Sequence, residues 1–176
     1  MGKRSEFEKK PRDAYFTIDP VAVERLAPYL PEKPFKRFVE PCAGGADLVK
    51  ALMEQHMVCQ AAYDIEPQSP HVIQRNCLTL TESDLYGVDM FITNPPFTWK
   101  VLQPIMDHLI NLRPTWLLLP ADYMHNVRMG PYMKKCGKVV SIGRMYWEEN
   151  KKKGVDNYAW FLFNKDFEGK TEFIGR

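Results

Sequence analysis

The sequence predicts an α/β domain built on a doubly wound, mostly parallel sheet with an antiparallel strand pair at its C-terminal end. Three observations carry this. Short apolar runs of strand length recur at 35–39, 58–63, 88–93 and 116–119. Stretches with apolar residues at helical spacing alternate with them, as parallel βαβ units with helices on both faces require. From residue 138 onward the strand-like runs at 138–142, 158–163 and 171–174 follow one another with no helix between them, which is the pattern of an antiparallel edge.

The elements follow in order. Asp19-Pro20 is an N-cap and first-turn pair for a short helix over 21–27. Pro28, Pro31 and Pro34 end that segment. The strand at 35–39 runs into a tight glycine turn at 40–45, and residues 48, 49, 52, 53 and 57 give the next segment an apolar helical face. The strand at 58–63 stops at Asp64, and 71–74 is a short extended piece. The buried strand at 88–93 ends abruptly at Asn94-Pro95-Pro96. A helix over 101–112 tolerates Pro104 near its start, and Pro120 closes the strand at 116–119.

With 176 residues, 45% hydrophobic and 26% charged, the chain has the size and composition of one folded domain, not of a disordered chain. Residues 1–12 read as a basic, flexible arm and 13–176 as the domain. A net charge of +2 excludes a polycation. No apolar run approaches the roughly 18 residues of a spanning helix, and no apolar stretch follows the first basic residues as in a secretory signal. The expectation is a cytoplasmic protein with no membrane association, in a bacterial cell or a phage-infected one. Cys42, Cys59, Cys77 and Cys136 form no Cys-x-x-Cys pair, and the four histidines show no ligand spacing beside them. Reduced cysteines and no metal are expected.

Charge is unevenly spread. Residues 1–12 hold five basic groups against two acidic ones, and residues 128–153 hold eight against two. Residues 64–89 reverse this, with Asp64, Glu66, Glu82, Asp84 and Asp89 against Arg75 alone. The pattern suits a polyanion on one side and a cationic small molecule on the other, or simply an uneven solvated surface.

Asn94-Pro95-Pro96-Phe97 is the most specific signal. A buried strand delivers an amide, two prolines and an aromatic ring at its carboxyl end, where open α/β sheets place their sites. Two prolines remove two N–H donors and leave carbonyl acceptors. The Asn94 side-chain oxygen and a proline carbonyl are two acceptors suited to a planar amino group, and Phe97 offers a flat face.

This motif resembles that of class I S-adenosylmethionine-dependent methyltransferases acting on planar nitrogens, in particular the NPPF-type adenine DNA methyltransferases. The resemblance covers about residues 13–120 and implies the Rossmann-like fold of that class. Phe38-Val39-Glu40-Pro41-Cys42-Ala43-Gly44-Gly45 resembles the first cofactor motif, so Glu40, Pro41, Cys42 and Gly44 are implied to cradle the methionine part. Ala46 stands where the family carries a second glycine, a methyl tolerable if the residue keeps negative φ. Tyr63-Asp64-Ile65 resembles the second motif, with Asp64 on the ribose hydroxyls and Ile65 on the adenine. Asn76 falls where the family has an acid against the adenine amino group. Tyr15-Phe16-Thr17-Ile18-Asp19-Pro20 resembles the segment that closes over the methionine carboxylate, with Phe16 and Thr17 as contacts. Asn94, Pro95, Pro96 and Phe97 are the implied catalytic residues, Asn94 touching cofactor as well, and no metal is implied.

Arg144, Trp147, Lys151, Lys152 and Lys153 lie on one loop between predicted strands, basic with an aromatic neighbour, and are candidates with Phe97 for holding nucleic acid. Tyr123, His125 and Arg128 are weaker candidates of the same kind. The implied reaction is methyl transfer to the adenine amino group in DNA, with low or short-site specificity, because no large recognition domain accompanies the motifs. A specificity-conferring partner or a homodimer would be ways around that. Small solitary enzymes of this sort resemble those encoded by bacteriophages and mobile elements, where broad methylation would shield DNA from restriction-modification systems. RNA adenine methylation, protein glutamine methylation and a non-catalytic cofactor-fold module are the alternatives.

Overall fold

The computed structural model describes residues 15–31 and 36–176; the expected basic arm at 1–12 lies outside them. Eight strands form one sheet: β1 (Arg37–Glu40), β2 (Val58–Asp64), β3 (Ile73–Gln74), β4 (Met90–Thr93), β5 (Thr115–Pro120), β6 (Cys136–Arg144), β7 (Asn157–Phe163) and β8 (Glu172–Ile174). Their spatial order is β3-β2-β1-β4-β5-β7-β6-β8. The first five are mutually parallel. β7 runs antiparallel between β5 and β6, and β8 pairs parallel with β6. The doubly wound sheet with an antiparallel C-terminal pair is therefore as the sequence predicts.

The helices are α1 (Val21–Leu26), α2 (Asp47–Glu54), α3 (Trp99–Leu112) and the single turn α4 (Gly130–Met133). Strand alternation sorts the core onto two faces. Phe38, Ile92, Trp116 and Trp160 pack with α1 and α2. Val39 and Phe91 pack with Ile105 and Leu109 of α3, and Leu117 and Phe161 with its Leu102, Met106 and Ile110. All four residues of β4 are buried, which is why this strand reads as a continuous apolar run. The buried Trp160 satisfies its indole N–H by donating to the Ala22 carbonyl at 2.8 Å. Asp19, also buried, accepts from the Val21 N–H at α1 and from the Tyr146 N–H, both at 3.1 Å.

One expectation is corrected. Helices do not alternate with every strand: β2 reaches β3 by a loop, and β3 reaches β4 by two 3-10 turns, Cys77–Thr79 and Glu82–Leu85. Their caps explain this, since Asn76 accepts from the Leu78 N–H, and Thr81 and Asp84 form a reciprocal capping box; such local bonds compete with helix. The acidic run at 64–89 is mostly structural. Arg75 donates to both Asp84 oxygens at 2.9 and 2.8 Å and holds that carboxyl below its ordinary range. Glu82 pairs with Arg113 at 2.6 Å, and Asp89 accepts from the Arg37 N–H at 2.8 Å. Among the described residues no helix is long and apolar enough to cross a membrane, and no group of three or more His, Cys, Asp or Glu side chains is placed to hold a metal.

Candidate active site at the ends of β1 and β4

Strand order reverses between β1 and β4. Chains leaving these neighbours depart in opposite directions and open a crevice at their carboxyl ends. Glu40 closes β1 and Asn94 follows β4, so both point their chemistry into that crevice.

The turn after β1 is shaped by two left-handed residues. Gly44 has φ +48°, and a side chain there would meet the Phe16 ring at 2.6 Å. Glycine is what lets Phe16 lie against the backbone. Ala46 has φ 67° and ψ 21°, so the condition under which its methyl would be free of strain is not met. Its N–H closes the turn onto the Ala43 carbonyl at 2.7 Å while its own carbonyl accepts from the Lys50 N–H of α2 at 3.0 Å. One residue must end the turn and begin the helix, and its buried methyl packs in the core. A left-handed alanine costs about 1–2 kcal/mol.

Phe16, Thr17, Glu40 and Asn94, with Tyr15 and Cys42, line a small cavity of about 20 Å³. Glu40 is 1% exposed. Its pKa is pushed well above the ordinary carboxylate value by burial first, then by the charges of Asp64 and Asp47, while the Asn94 backbone N–H opposes the shift. The Asn94 side-chain nitrogen donates to the Tyr15 carbonyl at 2.7 Å. The Asn94 side-chain oxygen, Glu40 Oε2 and Thr17 Oγ1 are buried with no partner. Unpartnered buried polar atoms cost about 1–3 kcal/mol each, so three on one cavity mark a place prepared for polar groups from outside.

Beside it lies a cavity of about 310 Å³, walled by Asp64, Ile65, Asn76, Leu78, Pro96 and Val101 and also touched by Pro41 and Cys42. Asp64 accepts from the Gly44 and Glu66 N–H groups, both at 2.8 Å. These bonds fix the carboxylate, whose oxygens keep further lone pairs for a ligand. Ile65, 62% exposed, presents a bare apolar face. Asn76 spends its oxygen partly on the Leu78 N–H at 3.0 Å. The Cys42 thiol is pushed up by the neighbouring Cys77 thiol and by burial, so it stays neutral and acts as wall. Val101 and Pro104 reach this cavity from one face of α3, a contribution that helical spacing after the proline motif would have revealed.

Phe97 belongs to an aromatic cluster. Its centroid lies 6.3 Å from that of Trp147 and 5.9 Å from that of Tyr158, and those two rings meet edge-on at 4.9 Å. Tyr123 donates its hydroxyl to the Phe97 carbonyl at 2.6 Å and so pins the turn after the prolines. Burial pushes the Tyr158 phenol up to about 12, keeping it neutral. Trp147 thus joins Phe97, as its candidacy requires. Lys151 to Lys153 are exposed on the same loop, whereas Arg144, expected on that loop, instead ends β6, where it pairs with Asn157 of β7 and is exposed. Arg128 instead covers the Trp99 ring at 5.1 Å. Tyr15 and Tyr158 were missed as site residues; strand alternation, which puts Tyr158 on the face of Trp160, was the available signal.

No family model matches the chain, and no curated protein matches it in sequence. Solved structures do resemble it. A candidate RNA methyltransferase from Pyrococcus horikoshii superposes with a TM-score of 0.56 at 14% identity, over 83% of this chain and 84% of that one. A candidate hemolysin from Lactococcus lactis gives 0.57 at 9% identity, over 86% and 89%. The methyltransferase subunit of a type I restriction-modification system from Streptococcus thermophilus gives 0.55 at 10% identity, over 94% of this chain but only 46% of that one. The chain thus spans less than half of the last relative's length. Identities this low establish the fold, and the fold is that of the class I methyltransferases.

The Gly44–Phe16 contact gives a stability test. Gly44→Ala adds a methyl at positive φ against the Phe16 ring, and is expected to lower unfolding free energy by about 1–3 kcal/mol in denaturant titration. Adding Phe16→Ala removes the clash, so the double variant loses less than the sum of the two single ones.

Proposed function

We propose that this protein is an S-adenosylmethionine-dependent methyltransferase acting on the exocyclic amino group of adenine in DNA, with low or short-site specificity. The observation that carries the proposal is the Asn94 amide. Its nitrogen is committed to the Tyr15 carbonyl, so its oxygen is held as an acceptor, buried and unpartnered, at the carboxyl end of a central strand. That oxygen matches the hydrogen-bonding need of a planar amino group.

The surrounding residues fit the cofactor. Glu40 Oε2 and Thr17 Oγ1, both orphaned, match an ammonium and a carboxylate, and Gly44 lets the Phe16 ring close against the turn beside them. The larger cavity offers Asp64 for ribose hydroxyls and Ile65, Leu78 and Val101 for an adenine ring, with Asn76 at its edge. When bound there, S-adenosylmethionine supplies an electrophilic methyl group.

The chain's own residues act on the nucleophile. An adenine amino nitrogen is weakly nucleophilic because its lone pair is delocalised into the ring. Hydrogen bonds from its two N–H groups to the Asn94 side-chain oxygen and the Pro95 carbonyl favour a pyramidal nitrogen with its lone pair free and stabilise the positive charge that develops there. That charge is discharged by loss of one proton to water once the methyl group has been transferred. Pro95 and Pro96 keep those acceptors rigid. Phe97 would stack on the base once it has left its helix. Trp147 extends the aromatic surface, and Lys151 to Lys153 on its loop, with Arg144 at the end of β6, supply positive charge for the phosphates. That loop is what favours nucleic acid over a protein amide.

Asn94→Ala is expected to lower turnover about 10²–10³-fold while leaving cofactor affinity nearly intact. The protein is incubated with S-adenosylmethionine and unmethylated DNA, with bulk RNA in parallel, and methylated nucleosides are quantified by mass spectrometry. Methyladenine in DNA, lost with Asn94→Ala, supports the proposal. Methyladenine confined to RNA moves the substrate to RNA, and no methylated nucleoside despite cofactor binding overturns both.

Glu40 makes cofactor affinity pH-dependent. Its carboxyl has a raised pKa in the free site, and an ammonium partner favours its charged form. Affinity is therefore expected to rise with pH up to that raised pKa and to level above it. Glu40→Gln flattens the rise, as calorimetric titrations across a pH series would read.

A further inference from the structure

The Tyr15 side chain has no part in the chemistry above, yet it lies on the face that chemistry needs. Its ring is within 17° of parallel to Phe97, with centroids 5.9 Å apart. Trp147 meets it edge-on at 5.7 Å. Aromatic partners sit with centroids about 4.5–7 Å apart, so Tyr15 and Phe97 are already partners and leave no slot for a third ring between them. A base that stacks on Phe97 has to displace this ring.

The geometry allows that displacement at little cost. Residues 15–19 lie in neither helix nor strand, and Tyr15 is only partly buried. Its backbone carbonyl, not its ring, holds the Asn94 nitrogen. Rotation about χ1 swings the ring from one staggered well to another without disturbing that bond. The anchor of Asn94 and the cover on Phe97 thus belong to one residue but move independently.

We infer that Tyr15 is a plug for the base site: its ring fills the stacking face of Phe97 in the free protein and is exchanged for the target base, while its carbonyl keeps Asn94 oriented. This inference rests on the function proposed above. It also bears on specificity, because a ligand enters only if it stacks better than a phenol ring. A bicyclic purine offers more overlap than a single ring, whereas a side-chain amide offers almost none. The plug therefore favours adenine over a glutamine side chain at the same acceptors.

The test uses a single-stranded oligonucleotide whose sole adenine is methylated by the wild type, with 2-aminopurine or an abasic site at that position. Tyr15→Ala is expected to tighten binding of the 2-aminopurine strand about three- to tenfold, the worth of one aromatic pair, and to leave the abasic strand unchanged. Tyr15→Phe keeps the ring and the wild-type affinity. Tyr15→Leu repeats the test should alanine lower the melting temperature. Unchanged or weaker binding of the 2-aminopurine strand by both aliphatic variants would overturn the plug. An equal gain on the abasic strand would do the same, since it would place the effect outside the base site. If the wild type methylates no nucleic acid, the proposed function fails and the plug with it. If it methylates and the aliphatic variants gain nothing, the plug alone fails.

Discussion

The hydrogen bond from the Asn94 side chain to the Tyr15 carbonyl fixes the character of the whole site. An amide left free to turn would present donor or acceptor as its surroundings dictated. With its nitrogen held at 2.7 Å by the Tyr15 carbonyl, the oxygen is fixed on the other branch of the amide as an acceptor, buried without a partner. Glu40 Oε2 and Thr17 Oγ1 share the condition on the same cavity. Folding normally pairs such atoms, because an orphan forfeits about 1–3 kcal/mol. Concentrating them at one point stores instability that an incoming polar ligand relieves.

The rest of the molecule makes that concentration affordable. The sheet reverses its winding between β1 and β4, and both strands are backed by core on two faces, so their carboxyl ends are rigid. Phe16 lies against Gly44, and the segment from Tyr15 to Asp19 is tied down by the buried Asp19 carboxylate through the Val21 and Tyr146 N–H groups. The same segment supplies the Asn94 anchor, the Thr17 hydroxyl and the Tyr15 ring. A strap held at Asp19 therefore reaches both the smaller cavity and the aromatic cluster, and a ligand in either place bears on the other.

Much of this was legible in the sequence, for identifiable reasons. The proline motif was legible because rigid residues leave little conformational choice, and the parallel strands because burial on both faces makes them uniformly apolar. Asp64 was legible as the polar stop of an apolar run. Ala46 was not, since alanine almost always signals negative φ and only the closing of the turn onto Ala43 forces the opposite. The division of the acidic run was not legible, because charge counts do not reveal that Arg75, Arg113 and the Arg37 N–H take up Asp84, Glu82 and Asp89 while Asp64 lines the larger cavity. The cluster of Tyr15, Phe97, Trp147 and Tyr158 joins residues far apart in the chain; strand alternation assigns Tyr158 its face, but not the contact with Tyr15 and Phe97.

Thermal unfolding with and without S-adenosylhomocysteine tests the central claim most directly, because it reads whether a ligand of this class relieves the orphaned Glu40 and Thr17 atoms. At roughly a hundredfold excess over its dissociation constant a native-state ligand contributes about 2.7 kcal/mol. For a domain of this size that raises the melting temperature by about 5–10 °C, and the account expects such a rise. An unchanged melting temperature at millimolar S-adenosylhomocysteine would contradict it.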